Sequence, residues 1–354
     1  MHASITIKIL GLLLMFFSVL ANLLPTVVSL IYRDGNTGVF LQSMAVIFFA
    51  GLVLWILTAR TQKELSTRDG FLVVTLFWTV LGTAGCLPFL LSADVQLSVT
   101  DAVFESLSGL TTTGATVISG LDDLPKSILF YRQQLQWLGG MGIIVLAVAL
   151  LPMLGIGGMQ LYKAESPGPV KDNKLVPKLA ETAKALWYIY LFLTVACALA
   201  YWIVGMNFFD AVSHSFTTVA IGGFSTHDAS MAYFDSTAVD LVAIVFMFVA
   251  GVNFALHFTS WQKRKFLPYV SDPEFKFYSF ILLFVSLVTI SVLYFSDIYA
   301  SFSEAFIRGL FQVVSVATTT GFTTADFSTW PLFLPYLLLY AAIIGACAGS
   351  TGGN

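Results

Sequence analysis

Eight segments of this 354-residue chain are apolar over about the 20 residues that an α-helix needs to cross a bilayer. They lie at 5–31, 39–59, 71–91, 137–157, 185–206, 236–259, 277–296 and 331–348. Hydrophobic residues make up 57% of the chain and charged residues only 10%. A soluble domain carries roughly 25% charged residues, so this composition is not that of a soluble protein. The chain is therefore predicted to be an all-α polytopic membrane protein.

Composition also excludes several other classes of protein. The apolar content is too high for a disordered chain, and three cysteines are too few for a disulfide scaffold. Cys86, Cys197 and Cys347 lie in apolar runs without metal-ligand spacing, which is typical of small core residues. The net charge of −3 gives no basic footprint for nucleic acid. No HExxH or GxSxG motif occurs. A membrane-embedded enzyme is therefore disfavoured, and no catalytic residue or cofactor is predicted.

Three shorter segments, 98–117, 207–226 and 301–324, are semi-apolar and rich in Thr, Ser and Gly. Each opens with a polar residue followed three positions later by an acid, the pattern of a capped helix start. The pairs are Ser98 and Asp101, Asn207 and Asp210, and Ser301 and Glu304. A helix of ten residues is about 15 Å long, roughly half of the hydrocarbon core. Each segment is therefore predicted to be a re-entrant half-helix that faces protein or water.

Each half-helix is followed by a loop with a glycine at a matched position, Gly114, Gly223 or Gly321. The predicted repeat is a span, a half-helix, a loop and a second span; it occurs three times, behind two N-terminal spans. A single Thr/Gly cluster would favour a surface turn, but three at matched positions favour an ion filter. Backbone carbonyls can replace the hydration shell of a monovalent cation, and glycine permits the positive φ that aligns them.

The basic residues predict the orientation in the membrane. With the N-terminus in the cytoplasm, only four of the 17 Lys and Arg residues lie outside, namely Arg33, Lys126, Arg132 and Arg308. The three half-helices then enter from the outer face. Acidic residues crowd that face, where they would either concentrate cations or simply cap helices and meet solvent; both readings stay open.

Several longer motifs carry a resemblance to a known family. They include Ser106–Thr116, Trp137–Ile144 and the segment from His214 to Ser230. On these motifs the chain resembles the TrkH family, the membrane subunits of bacterial Trk-type potassium uptake systems, within the Trk/Ktr/HKT superfamily. The resemblance implies potassium translocation across the bacterial cytoplasmic (inner) membrane by a multi-pass protein, whether as a channel or as a symporter.

The resemblance also implies which residues bind and gate the ion. The filter would consist of Thr112, Thr113, Gly114, Ile221, Gly222, Gly223, Thr319, Thr320 and Gly321. Potassium, as cargo, would bind at Thr112, Thr113, Ile221, Gly222, Thr319 and Thr320. An intramembrane gate would consist of Gly345, Ala346, Cys347, Ala348, Gly349, Ser350, Thr351, Gly352 and Gly353. In the superfamily, Gly rather than Ser in the first filter is associated with potassium over sodium, and Gly114 matches that pattern.

Domain organisation and partners follow from the same resemblance. The predicted parts are two N-terminal spans at 1–66 and repeats at 67–172, 173–268 and 269–354. The expected partners are a second copy, as a homodimer, and a cytosolic TrkA-like regulatory subunit that would carry any nucleotide. The family has a fourth repeat with an essential basic residue, and its pattern continues with Gly where this chain has Asn354. The chain is therefore expected to be a C-terminally truncated fragment that does not conduct unaided.

Two alternative functions remain at this point: a sodium-permeable or sodium-coupled relative, and a non-conducting fragment. His214 and His227 could suggest a metal site, but hydrogen-bonded structural histidines are favoured over it. His257 is expected to snorkel or cap near an inner helix end. Asp240 and Asn253, within or at the edge of a span, are expected to face protein or a cavity.

Overall fold

The computed structural model describes residues 3–60, 67–150, 176–331 and 333–352. Several predictions fall outside these residues: the boundaries at 66 and 172, the first part of the polar loop between Lys163 and Lys184, the end of the span at 137–157, and Gly353 with Asn354. Within the described residues all regular structure is helical, which confirms the predicted all-α class.

Fourteen α-helices occur in these ranges. They are α1 (Ala3–Tyr32), α2 (Thr37–Thr58), α3 (Thr67–Ala84), α4 (Leu87–Leu91), α5 (Val99–Leu110), α6 (Lys126–Leu150), α7 (Val176–Ile203), α8 (Phe208–Val219), α9 (Thr237–Ala250), α10 (Phe254–Lys263), α11 (Leu267–Ser271), α12 (Pro273–Phe295), α13 (Phe302–Ala317) and α14 (Phe333–Ile344). Short 3₁₀ turns lie at Leu121–Asp123, Ser230–Phe234 and Phe327–Thr329.

Five stretches of the described chain are long and apolar enough to cross a membrane. They are Ser4–Tyr32, Thr37–Thr58, Leu72–Leu91, Lys184–Ile203 and Pro273–Phe295. They match five of the eight predicted spans. The third comprises most of α3 and all of α4, which begins at Leu87 with Pro88 in its first turn.

The prediction of one continuous span at 236–259 was wrong. Helix α9 ends at Ala250 and α10 begins at Phe254, and the two axes differ by 89°. Asn253 caps the second helix, since its side-chain oxygen accepts the Ala255 N–H at 2.8 Å. The chain therefore turns sharply at Gly251–Asn253, where the backbone groups released by the break bond to a distant loop.

The span predicted at 331–348 is also shorter in the structure. Helix α14 ends at Ile344, after 12 residues. Gly345 follows with a φ of +72°, a left-handed conformation that is strained for residues with a side chain and that ends a helix. The glycine-rich segment after it is irregular rather than helical.

The chain divides into two compact units. The first comprises Met1–Thr111, Ala115–Ser119 and Asp123–Trp187. Within it, α1 and α2 cross closely at Gly11 and Gly51. A Cβ on Gly11 would lie 2.6 Å from the Gly51 carbonyl oxygen, so only glycine allows this approach.

The half-helix of the first unit, α5, is anchored on α3. The Ser106 hydroxyl donates to the Gly82 carbonyl at 2.6 Å. Tyr131 of α6 donates to the Gly85 carbonyl at 2.7 Å. The first bond holds α5 against α3, and the second holds α6 at the end of α3.

The second unit comprises Thr112–Gly114, Gly120–Asp122 and Tyr188–Asn354. Helices α12, α13 and α14 share one hydrophobic core, with fully buried Leu293, Val313, Leu334 and Leu338 among its members. The second and third half-helices, α8 and α13, both belong to this unit and both pack against α9. The unit therefore contains all three loop glycines.

Candidate functional site

All three half-helices begin with the predicted side-chain caps. The Ser98 hydroxyl accepts the Asp101 N–H at 3.2 Å. Asn207 accepts the Asp210 N–H at 3.0 Å, and Ser301 accepts the Glu304 N–H at 3.1 Å. The helices are 12, 12 and 16 residues long, so each ends after roughly half of a bilayer or slightly more. Their negative C-terminal ends lead directly into the glycine loops.

The three loops share one backbone conformation. Gly114, Gly223 and Gly321 have φ values of +77°, +80° and +84°. The residue two positions earlier is also left-handed: Thr112 at +54°, Ile221 at +53° and Thr319 at +64°. Positive φ at alternate residues turns successive carbonyls towards the same side. All three earlier residues are β-branched, for which this region is a genuine outlier. Such strain persists where the surrounding structure imposes it, typically at functional sites.

Successive loops approach each other too closely for a side chain. A Cβ on Gly114 would overlap the Gly222 carbonyl oxygen, and one on Gly223 would overlap the Thr320 carbonyl oxygen. The carbonyl of each later loop thus lies against the glycine of the loop before it. A Cβ on Gly321, by contrast, would have no atom of the described residues within 4 Å.

A fully buried ion pair lies behind the first loop. Arg132 Nε is 2.8 Å from Glu105 Oε1, and both side chains are 0% exposed. Glu105 also accepts the Val117 N–H at 3.1 Å and the Thr116 hydroxyl at 3.0 Å. The sequence analysis placed Arg132 on the outer side of the membrane without a partner, and the structure shows that it is buried and paired with Glu105. Pairing across 27 residues removes both charges from solvent.

His227 joins two loops of the second unit. Its Nε2 lies 3.1 Å from Asp210 Oδ2, and its Nδ1 contacts Asp122 Oδ1. Tyr233 stacks on the ring, with centroids 3.4 Å apart. Burial disfavours the imidazolium, but the hydrogen bonds to Asp210 and Asp122 outweigh burial and raise the pKa of His227. The histidine is therefore structural and hydrogen-bonded, as predicted.

We expect the interactions of His227 with Asp210 and Asp122 to weaken as pH rises. A folded-state pKa above the ordinary value of 6.5 means that the stabilisation is complete below 6.5 and is lost as pH rises through the folded pKa. The melting temperature of the detergent-solubilised protein, measured from pH 6.5 into the alkaline range, should fall more steeply for the wild type than for His227→Gln. Parallel curves for the two proteins would contradict this assignment.

The glycine-rich segment after α14 bonds to the break between α9 and α10. Its Cys347 N–H donates to the Gly251 carbonyl at 2.9 Å, and its Gly349 carbonyl accepts the Phe254 N–H at 3.0 Å. The Thr351 hydroxyl donates to the carbonyl of Val219, the last residue of α8, at 2.8 Å. Irregular backbone at membrane depth requires such partners, and here two irregular segments supply them to each other.

Further contacts hold the same region. Glu274 accepts the Ala348 N–H at 2.6 Å. His257 Nε2 lies 3.0 Å from the Val249 carbonyl, so the ring caps the broken end of α9 as predicted. Asn253 was expected to face protein or a cavity, but its cap and the break itself were missed. The only sequence signal was an Asn two residues after a Gly in an apolar run.

The predicted site residues thus fall into two groups in the second unit. The structure brings the three loops together at Gly114, Gly222, Gly223 and Thr320. The predicted gate segment, from Gly345 to Gly352, lies against the helix break instead. Cys86, Cys197 and Cys347 are buried free thiols, as predicted.

Comparison with known proteins identifies the family. The TrkH family, described as a cation transport protein, matches residues 36–354. The Trk system potassium uptake protein TrkH of Vibrio parahaemolyticus is 60% identical over 350 residues, which cover 98% of this chain and 72% of that protein. The protein of the same name from Escherichia coli K12 is 54% identical over 354 residues, covering 100% of this chain and 73% of that protein.

A solved structure agrees with these matches. The crystal structure of the potassium transporter TrkH from Vibrio parahaemolyticus aligns with a TM-score of 0.88 and 55% sequence identity. The alignment covers 100% of this chain and 72% of that one. The relatives are named as transport proteins rather than enzymes, and the predicted resemblance is confirmed. This chain belongs to the TrkH family of cation transport proteins.

Proposed function

We propose that this protein takes up potassium across the bacterial cytoplasmic membrane as the membrane component of a Trk system. The observation that carries the proposal is the threefold backbone pattern, with positive φ at each filter glycine and at the residue two positions before it. Aligned carbonyls are the ligands with which a filter replaces the hydration shell of potassium. The Trk names of relatives at 54–60% identity support potassium as the cargo.

The ion would bind to the backbone carbonyls of the residues just before the glycines. These residues are Thr112, Thr113, Ile221, Gly222, Thr319 and Thr320. The approach of the Gly222 and Thr320 carbonyls to the preceding glycines supports this assignment. The negative C-terminal ends of α8 and α13, both in the second unit, would stabilise a cation below the filter.

We further propose that residues Gly345 to Gly353 form the gate. The segment consists of small residues and includes two left-handed glycines, Gly345 and Gly349, so little side-chain volume would have to move when it rearranges. Main-chain bonds to Gly251 and Phe254 would close it, and their exchange for other partners would open it.

Organisation and partners are part of the same proposal. The repeats would occupy 67–172, 173–268 and 269–354 behind two spans at 1–66, with the N-terminus in the cytoplasm. The positive-inside bias supports this orientation, because only four of the 17 Lys and Arg residues would then lie on the outer side. A homodimer and a TrkA-like nucleotide-binding subunit on the cytoplasmic face would complete the system.

Substitution of Gly114 by Ser tests the filter. The protein, expressed from its natural gene and reconstituted in liposomes, should lose preference for potassium over sodium in this variant. A Cβ at this position would displace the Gly222 carbonyl, which the filter needs for coordination. Gly35→Ser is the matched control, because Gly35 is also left-handed at +84° but has no atom within 4 Å of its Cβ position.

Unchanged selectivity in Gly114→Ser would overturn the filter assignment. Equal transport of sodium and potassium by the wild-type protein would instead support the alternative function, that of a sodium-permeable member of the superfamily.

A further inference from the structure

We propose that the side chains nine positions before each filter glycine, together with the serines six positions before the first and the third, are positioning residues, which hold the segment after the glycine and thereby maintain the selectivity of the filter. The inference rests on the proposed function and deepens it. The residues nine positions before are Glu105, His214 and Gln312. The two serines are Ser108 and Ser315. All five residues are buried, four at 0% exposure and Ser108 at 5%.

The residue nine positions before the glycine accepts a hydrogen bond from the segment that follows the filter. In the first repeat, Glu105 accepts the N–H of Val117, three positions after Gly114, at 3.1 Å. In the third repeat, Gln312 accepts the N–H of Thr324, three positions after Gly321, at 3.0 Å. Different side chains thus make the same contact at the same register.

His214 acts as the acceptor in the second repeat. Its Nδ1 lies 3.0 Å from the Asp210 carbonyl, which can only accept, so Nδ1 carries the proton. In the neutral ring Nε2 is then an acceptor, and it takes the hydroxyl of Ser225 at 3.0 Å. Ser225 lies two positions after Gly223. A carboxylate, an imidazole and an amide therefore share one role on three half-helices.

A second hydrogen bond comes from the residue one helical turn further along the half-helix, in the first and third repeats. The Ser108 hydroxyl donates to the carbonyl of Ala115 at 2.6 Å. The Ser315 hydroxyl donates to the carbonyl of Phe322 at 2.7 Å. Each carbonyl belongs to the residue directly after the filter glycine. In the first and third repeats the half-helix thus bonds both to the carbonyl directly after the glycine and to an N–H two residues beyond that carbonyl.

These bonds explain how the strained loops keep one conformation. Thr112, Ile221 and Thr319 adopt dihedrals that β-branched residues disfavour, so the loops would relax without restraint. A relaxed loop would misplace the carbonyls, and a filter that distinguishes two monovalent ions depends on carbonyl positions. Helix caps alone do not supply this restraint, because they act at the opposite end of each half-helix.

The test compares apolar substitutions with exchanges between repeats. Gln312→Leu and His214→Leu should lower the ratio of potassium to sodium flux by about fivefold, the factor that one neutral hydrogen bond represents. Gln312→His and His214→Gln, which install acceptors that another repeat uses, should keep most of the ratio. Ser213→Ala is the control, because Ser213 is buried in α8 and its hydroxyl has no hydrogen-bond partner among the described residues.

Ser315→Ala guards against variants that fail to fold, because it removes a single hydroxyl. Ser315→Thr keeps a hydroxyl donor at this position and should retain most of the wild-type ratio. Wild-type flux ratios in Ser315→Ala and Gln312→Leu, beside a changed ratio in Gly114→Ser, would overturn this inference and leave the filter assignment standing. Wild-type ratios in all of these variants would overturn both. Equal losses in Gln312→Leu and Gln312→His would also contradict a role as hydrogen-bond acceptor.

Discussion

Replacement of Gly223 by Ala is expected to abolish potassium uptake while leaving the protein in the membrane. The new Cβ would overlap the Thr320 carbonyl oxygen and carbon, which are main-chain atoms without another rotamer. The φ of +80° adds a strain of about 1–2 kcal/mol for any residue with a side chain. The overlap would therefore push the second and third loops apart at this contact and distort the filter.

The control variant Gly35→Ala separates the effect of backbone strain from the effect of the overlap. Gly35 has a φ of +84° but open space at its Cβ position, so the strain arises without the overlap. Uptake of labelled rubidium by cells that lack their own potassium systems measures both variants, with membrane protein quantified in parallel. Gly35→Ala should transport nearly as well as the wild type. Equal uptake by Gly223→Ala would contradict the close contact between the loops.

Replacement of Arg132 by Leu is expected to cause the largest loss of stability. Glu105 would keep a carboxylate in a fully buried site with no counter-charge, which costs about 3–5 kcal/mol. The variant would also lose a hydrogen bond to the segment after the first filter glycine, because Arg132 donates to the Thr116 hydroxyl at 3.0 Å. Thermal unfolding of the purified protein in detergent, followed by size-exclusion fluorescence, would show a strongly reduced folded fraction.

A double variant identifies the cause of that loss. Arg132→Leu combined with Glu105→Gln removes both charges and leaves a neutral acceptor, the side chain that the third repeat has at Gln312. Most of the folded fraction should return, because replacing both partners of a buried pair costs far less than removing one. Arg33→Leu removes the same charge at an exposed site and should change stability by less than about 0.5 kcal/mol. If the double variant were no more stable than Arg132→Leu, the ion pair would not be the cause.

The sequence predicted those features that depend on local composition. Five membrane-crossing stretches, the three capped half-helices and the left-handed glycines all follow from hydropathy, capping residues and turn residues close together in the chain. The left-handed Thr112, Ile221 and Thr319 could not be predicted in this way. Their intrinsic preference opposes the observed φ, so it depends on contacts with the surrounding structure that residue type does not reveal.

The features that were missed depend on partners far along the chain. Hydropathy treats 236–259 as one span because the segment is apolar on average, although it contains Asp240, Asn253 and His257. The break at Gly251 is stabilised by Cys347, almost one hundred residues later. Likewise, Arg132 looks like an interfacial charge until Glu105 is placed beside it. A search for matched polar residues before each repeated glycine would have found Glu105, His214 and Gln312 from sequence alone.

The junction between the glycine-rich segment and the break in the second repeat is made mainly by main-chain groups. Every residue type except proline carries both groups, so the sequence there can drift while the junction persists. The left-handed positions, Gly345 and Gly349, favour glycine, because most residues with a side chain are strained there. In the gate that we propose, the side chains that contact the segment would therefore set the rate of opening. They include Thr351, which donates to Val219, and Glu274, which accepts from Ala348. Their replacement would change the rate of transport and not the ion that is carried.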